Sequence, residues 1–321
     1  MMGRAILYAC FMLVFIGESK ATPRDSLLLM FWNLENYFDW KKDTLLSIAQ
    51  GEEFTAFGKK HWTRSKFTRK SLAVSKSVFW IADSEGCLPD IIGLAEVENR
   101  FVLERLLGDT PLSRAGYSII HYDSPDPRGT DVALLYRNDR LKLLKSKPLN
   151  VSGVNFRTRD ILLAKFLKED GDSIVFLVNH HPSKYGENSG PRRKAVIRVL
   201  KEATDSLLAE GNADIVAMGD FNDTPESTDD YSSVMVNLAK PLAGKGEGTI
   251  KYSGKWEMID MFFISQQVAS RNPGVAMKIV KIPFLTVRDN THSGEKPLRT
   301  YTGPKYSGGV SDHCPITLMI Q

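Results

Sequence analysis

Polar motifs that close short apolar runs are spread along this chain from Asn33 to His313. The first stands in Phe31-Trp32-Asn33-Leu34-Glu35-Asn36, and the last is Ser311-Asp312-His313-Cys314-Pro315. Between them come Gly93-Leu94-Ala95-Glu96-Val97-Glu98-Asn99, Asn179-His180-His181-Pro182-Ser183-Lys184 and Gly219-Asp220-Phe221-Asn222-Asp223, while a sixth motif, Ile259-Asp260-Met261-Phe262-Phe263-Ile264-Ser265, places a single carboxylate inside an apolar run. Strand ends that offer hard oxygen donors, together with histidine, point to divalent-metal chemistry on a phosphate. Such a site needs both ends of the chain to meet. One large α/β domain is therefore expected in preference to two small ones.

The apolar runs at residues 27–32, 89–95 and 214–218 read as buried strands. Residues 117–122 and 130–137 read as two more, around a turn-rich stretch. Residues 161–167 and 173–179 flank Glu169-Asp170-Gly171-Asp172, a hairpin signal. A helix is predicted over residues 64–82, with Phe67, Ser71, Val74, Val78 and Ile81 on its buried face. A second helix starts at Gly190-Pro191, with Ala195, Val199, Ala203 and Leu207 as its stripe. Residues 256–265 and 315–320 read as late strands, and residues 37–62 as a long loop rich in Lys and aromatics. Hairpins mixed with helical crossovers predict mixed sheets covered by helices rather than a doubly wound parallel sheet.

At 42% hydrophobic and 25% charged residues, the chain has the balance of a globular domain, which excludes a low-complexity or fibrous protein. Residues 1–4 are positively charged, residues 5–17 almost wholly apolar, and Ser19-Lys20-Ala21 has small residues at cleavage spacing. Residues 1–21 are therefore read as a secretory signal peptide, too short to span a bilayer. The expected mature protein is exported, periplasmic or extracellular, with no stable membrane span. Cleavage removes Arg4, Lys20 and Glu18, so the net charge falls from +4 to +3. Cys87 and Cys314 are expected as inert thiols beside apolar runs, with their pairing left open.

In order and in type, the six motifs resemble the endonuclease/exonuclease/phosphatase superfamily over about residues 27–320. Gly-Asp-x-Asn alone is common, whereas six pieces in the right order are specific. The resemblance implies a four-layer α/β/β/α sandwich, two mixed β-sheets face to face with helices outside. It assigns Glu96 to an essential divalent ion, Mg²⁺ or Mn²⁺, with Asn33 and Asp312 beside it. It puts His313 at the scissile phosphate, oriented by Asp260, and His180 on a phosphate oxygen. Asp220 and Asn222 match the pair that positions the attacking water and the phosphate. Either Asp220 or His313 could be the base, with Asp220 favoured. Arg128, Asp131 and Tyr136 match loosely a stretch that often adds a polar contact, and His61, His121 and His292 match nothing.

The implied function is a metal-dependent phosphoesterase that hydrolyses phosphodiesters by water attack. The wording Asn-His-x-x-Ser-Lys favours a secreted nuclease acting on nucleic acid as a monomer. A phosphomonoesterase or phospholipase on the same fold is the alternative, and an inactive binding protein a third. Lys184, Arg192, Arg193 and the stretches at residues 59–64 and 296–301 are candidates for touching substrate.

Overall fold

The computed structural model describes residues 26–41, 51–151, 156–184 and 189–321, so the expected signal peptide lies outside the described residues. One six-stranded sheet runs β13 (Lys278–Ile279), β18 (Ile316–Ile320), β1 (Leu27–Tyr37), β2 (Ile91–Val97), β4 (Asp131–Arg137) and β3 (Tyr117–His121). The other runs β5 (Lys142–Leu149), β6 (Ile161–Leu167), β7 (Ser173–His180), β8 (Asp214–Asp220), β12 (Asp260–Ile264) and β9 (Val236–Asn237). Three small hairpins decorate the later half: β10 (Ile250–Tyr252) with β11 (Lys255–Glu257), β14 (Thr286–Arg288) with β15 (Glu295–Pro297), and β16 (Tyr301–Thr302) with β17 (Lys305–Tyr306).

Both large sheets are mixed. The pairs β1–β2 and β7–β8 are parallel and the other pairs in these sheets are antiparallel. Each parallel pair is joined through a helix, α1 (Arg64–Glu85) and α3 (Ser189–Ala209), as parallel strands require a long crossover. The antiparallel pairing of β1 with β18, Leu27 opposite Ile320 and Phe31 opposite Ile316, brings the two ends of the domain together.

Strand alternation divides the core. Leu27, Leu29 and Phe31 pack with Phe176, Leu177 and Met218 of the second sheet, while Met30, Trp32 and Leu34 pack with Phe67, Val74 and Val78 of α1. Gly93 marks the close approach of the sheets: a Cβ there would stand 2.7 Å from Met218 Sδ. The result is the four-layer sandwich expected, two mixed sheets flanked by helices.

Helix α1 starts at Thr63, whose side chain accepts the Lys66 N–H, and ends at Gly86 with φ 83. Its buried face carries the five predicted residues and also Lys70. In α3 the buried stripe is Val196, Leu200, Thr204 and Leu207, one step round from the predicted Ala195, Val199 and Ala203. A polar residue hid the true face: the Thr204 hydroxyl bonds the Leu200 carbonyl and the Tyr231 hydroxyl, which lets it sit in the core. The single strand expected over residues 256–265 is broken, its first part turning into β11 and its second into β12. Among the described residues, neither Cys87 nor Cys314 is in a disulfide. Among the described residues, no helix is long and apolar enough to cross a membrane.

Candidate active site

The parallel registers set the site. Asn33 of β1 pairs with Ala95 of β2, and His180 of β7 pairs with Asp220 of β8. Gly219 makes the second pairing feasible, because a Cβ there would fall 2.3 Å from the Asn179 carbonyl oxygen. Asp260 starts β12 directly opposite Asp220. The last loop is tied in by two long-range bonds, Trp32 Nε1 to the His313 carbonyl (2.9 Å) and Ser311 Oγ to the Asn33 carbonyl (2.6 Å).

His313 consequently faces three carboxylates. Its Nδ1 lies 2.8 Å from Asp260 Oδ2, and its Nε2 lies 3.8 Å from Asp220 Oδ2 and 3.9 Å from Asp312 Oδ1. Asp220 Oδ2 accepts the Asn33 amide (3.0 Å) and lies 3.6 Å from His180 Nε2. Asp220 Oδ1 accepts the Asn222 N–H (2.8 Å), while the Asn222 side chain donates to the His181 carbonyl. Burial pushes the Asp220 carboxyl up to about 7, with His313 opposing and Asp260 adding to the rise. Burial works against charge on His313 too, but the charge and hydrogen bond of Asp260 override it and hold the imidazole well above its usual range. Burial, then Arg159, push His180 well below that range. One histidine is thus poised as imidazolium and the other as neutral imidazole.

A second group of charges lies alongside, where β1 and β2 both break register. Glu35, Asn36 and Glu96 take positive φ values of 46°, 54° and 58°. Three non-glycine residues in the left-handed region at one place is a strain that clusters at functional sites. Glu96 Oε2 accepts the Asn36 N–H (2.7 Å), and Oε1 accepts Arg128 Nη2 (3.1 Å) and stands 3.9 Å from His180 Nε2. Burial works upward on Glu96, but Arg128 and Arg159 hold its carboxyl well below the usual range. Glu35 is clamped by Arg299 (2.7 Å), which also reaches Asp312 Oδ2 (3.1 Å). Below them the fully buried Lys70 ammonium donates to the Glu35 carbonyl (2.6 Å) and to Thr300 Oγ1 (2.8 Å). Glu35, Glu96 and Asp312 all act on Lys70, whose ammonium burial pushes down to about 8.

This donor set fits a hard cation. Glu96 and Asp312 are carboxylates, and Asn33 Oδ1, which accepts the Glu35 N–H, has a second lone pair. Glu96 has oxygen lone pairs left after two hydrogen bonds. Asp220, Asp260 and His313 also offer ligand atoms within 4.8 Å of one another. There, however, His313 Nδ1 is already engaged with Asp260, which suits proton handling better than ion binding.

Sequence reasoning passed over Glu35, Lys70, Arg159 and Arg299 as individuals. Glu35 stood two residues from Asn33 in a quoted motif, and Lys70 was a lysine at a core position of α1. Arg299 lay in a flagged stretch. Arg159 had no local signal, since its partner Asp126 is met through space (3.1 Å). Replacing Lys70 by Met should lower the unfolding free energy by about 3 kcal/mol, the loss typical when one partner of a buried charge network is removed. Urea denaturation tests this, and wild-type stability would refute it. Lys184 and Arg193 are tied to Glu257 and Asp223, both at 2.7 Å, and so serve the scaffold.

His181 turns away from the site against Phe221, and burial pushes its imidazole down to about 3. The unfolded chain protonates this group near 6.5. Between those values the unfolded state binds a proton that the native state refuses, so stability falls as pH drops from about 6.5 toward 3. The slope is at most ~1.4 kcal/mol per pH unit. In His181→Gln that slope should flatten in urea melts at pH 7, 5 and 4. Parallel pH dependence in the two proteins would contradict the assignment.

Beside the carboxylates opens a cleft of about 390 Å³, lined among others by Asn36, Phe54, Lys60, Arg128, Arg299 and Tyr301. Its walls mix cations with aromatic rings: Lys60 Nζ lies 5.2 Å from the Tyr301 ring centroid.

The fold has counterparts among solved structures. The chain shares its fold with D. rerio TDP2 humanised by 14 mutations, at 15% identity and a TM-score of 0.58, over 92% of this chain and 99% of that one. A mannosyl-6-phosphatase from Bacteroides thetaiotaomicron VPI-5482 aligns at 16% identity and a TM-score of 0.57, over 92% and 99%. The human nocturnin catalytic domain with bound sulfate aligns at 16% identity and a TM-score of 0.56, over 94% and 96%. No curated protein sequence matches the chain. The model of the Endonuclease/Exonuclease/phosphatase family matches residues 28–321. The chain therefore belongs to that family of divalent-metal-dependent phosphoester hydrolases.

Proposed function

We propose that this protein is an exported Mg²⁺- or Mn²⁺-dependent phosphodiesterase that cleaves nucleic acid by attack of water. The observation that carries the reading is His313, bonded to Asp260 at 2.8 Å and facing Asp220 at 3.8 Å beside the Glu96 carboxylate. A hard cation held by Glu96, with Asn33 and Asp312, would neutralise charge on the phosphate oxygens. The protein's own groups do the rest. Asp220, raised to about 7, takes a proton from water as its oxygen bonds phosphorus. The His313 imidazolium donates to the phosphate as the bond to the leaving oxygen breaks. Neutral His180 stands between Asp220 (3.6 Å) and Glu96 (3.9 Å). Asn222 holds the Asp220 loop through its N–H, and a direct contact with phosphate would require its side chain to leave His181. Export rests on residues 1–21.

A phosphomonoesterase is the second reading, favoured by the compact cationic cleft at Lys60, Arg128 and Arg299. Turnover of plasmid DNA, RNA, sphingomyelin, inositol phosphates and a sugar phosphate, with and without Mg²⁺, separates the two. Metal-dependent nicking or degradation of nucleic acid is expected. Exclusive release of inorganic phosphate from monoesters would replace the first reading by the second.

A further inference from the structure

His121 ends β3, Asp123 follows two residues later, and Asp131 begins β4. One ligand atom from each of the three lies within 4.8 Å of the others. His121 Nε2 is 3.2 Å from Asp131 Oδ2, and Nδ1 is 4.0 Å from Asp123 Oδ1. The His121 side chain is 3% exposed, yet among the described residues its Nε2 makes no hydrogen bond, even with the carboxylate alongside. A buried polar atom without a partner calls for an explanation, and a bound ion is one. Asp131 is pre-oriented: its Oδ1 accepts the Ser124 N–H (2.9 Å) and hydroxyl (2.5 Å), which leaves Oδ2 turned toward His121. Asp123, 86% exposed, provides a way in from solvent.

We propose that His121, Asp123 and Asp131 form a second metal site, apart from the cleft, that takes a borderline divalent ion such as Zn²⁺. One imidazole nitrogen and two carboxylate oxygens, completed by water, suit zinc, whereas Mg²⁺ prefers oxygen alone. Two donors about 2.0–2.1 Å from a tetrahedral ion stand roughly 3.4 Å apart, close to the Nε2 to Oδ2 separation. The ion's place in the fold gives it a structural role. Residues 122–130 join β3 to β4 and carry Asp126, which anchors Arg159 (3.1 Å), and Arg128, which sits on Glu96 (3.1 Å). A clip across the two ends of this segment fixes the loop that delivers Arg128.

The test uses the Glu96→Gln protein, stripped with chelator and titrated with ZnCl₂ by calorimetry and thermal melting. It should bind one equivalent through this site and melt at higher temperature. Adding His121→Ala should weaken that binding at least about tenfold, the loss that follows even from removing a ligand's own partner. Because a buried histidine can matter for folding, Asp123→Asn provides the second arm. It should weaken zinc at least about tenfold while the metal-free melt stays unchanged. Equal affinity with and without His121 and Asp123 would place zinc elsewhere, for instance at Asp220 and His313, and overturn the proposal. So would failure of the Glu96→Gln protein to bind zinc at all.

Discussion

His313→Ala should lower kcat by at least about 10²–10⁴-fold, the range supplied by a positioned acid or base. The imidazole stands 2.8 Å from Asp260 and 3.8 Å from Asp220, so its removal takes away the donor nearest the proposed phosphate position and leaves Asp260 without its partner. KM should change much less, because the contact strengthens as charge develops on the phosphate. Asp260→Asn provides a finer test. Asp260 is what holds His313 well above its ordinary range, so the imidazolium in the wild type persists above neutral pH. With an amide there, the acid form is lost at lower pH. The alkaline limb of the kcat–pH profile should therefore move to lower pH, and an unmoved limb would remove Asp260 from the mechanism. Circular dichroism on both variants separates lost chemistry from lost fold. Near-wild-type kcat for His313→Ala would end the assignment.

The second large effect is expected from Glu96→Gln, which keeps the shape of the side chain and deletes its charge. Turnover should fall by at least about 10²-fold, comparable to removing a single preorganised electrostatic group from a reacting site. The Mg²⁺ concentration for half-maximal activity should rise as well. The physical reason is that Glu96 is held ionised by Arg128 and Arg159 against the pull of burial, so it is charged at every working pH. A Mg²⁺ titration read by calorimetry as well as by turnover tells loss of the ion from damage to the site. Equal turnover by the two proteins on the preferred substrate would mean that catalysis is not centred here.

Much of the architecture could be read before any coordinates. Continuous apolar runs gave β1, β2 and β8 because a strand buried on both faces needs no alternation. The spacing of three and four in Phe67, Ser71, Val74, Val78 and Ile81 gave α1. The stripe on α3 was misplaced because hydrophobicity counts Thr204 as polar, whereas its hydroxyl is satisfied within the core. The strand at residues 256–265 was drawn too long because a continuous apolar pattern does not report where a chain leaves one sheet for a small hairpin.

The candidate site divides along the same line. Local sequence determined which chemistry is on offer, carboxylates, amides and imidazoles at the ends of buried strands, because strand ends are set by short-range pattern and turn residues. Only the tertiary structure decided which of those groups are partners. It turned His180 inward and His181 away, set Arg128 on Glu96, and laid Arg299 across nearby Asp312 and across Glu35, 264 residues away along the chain. Electrostatic interaction falls with distance through space and takes no account of separation in sequence, so which charges are compensated cannot be read from the order of residues.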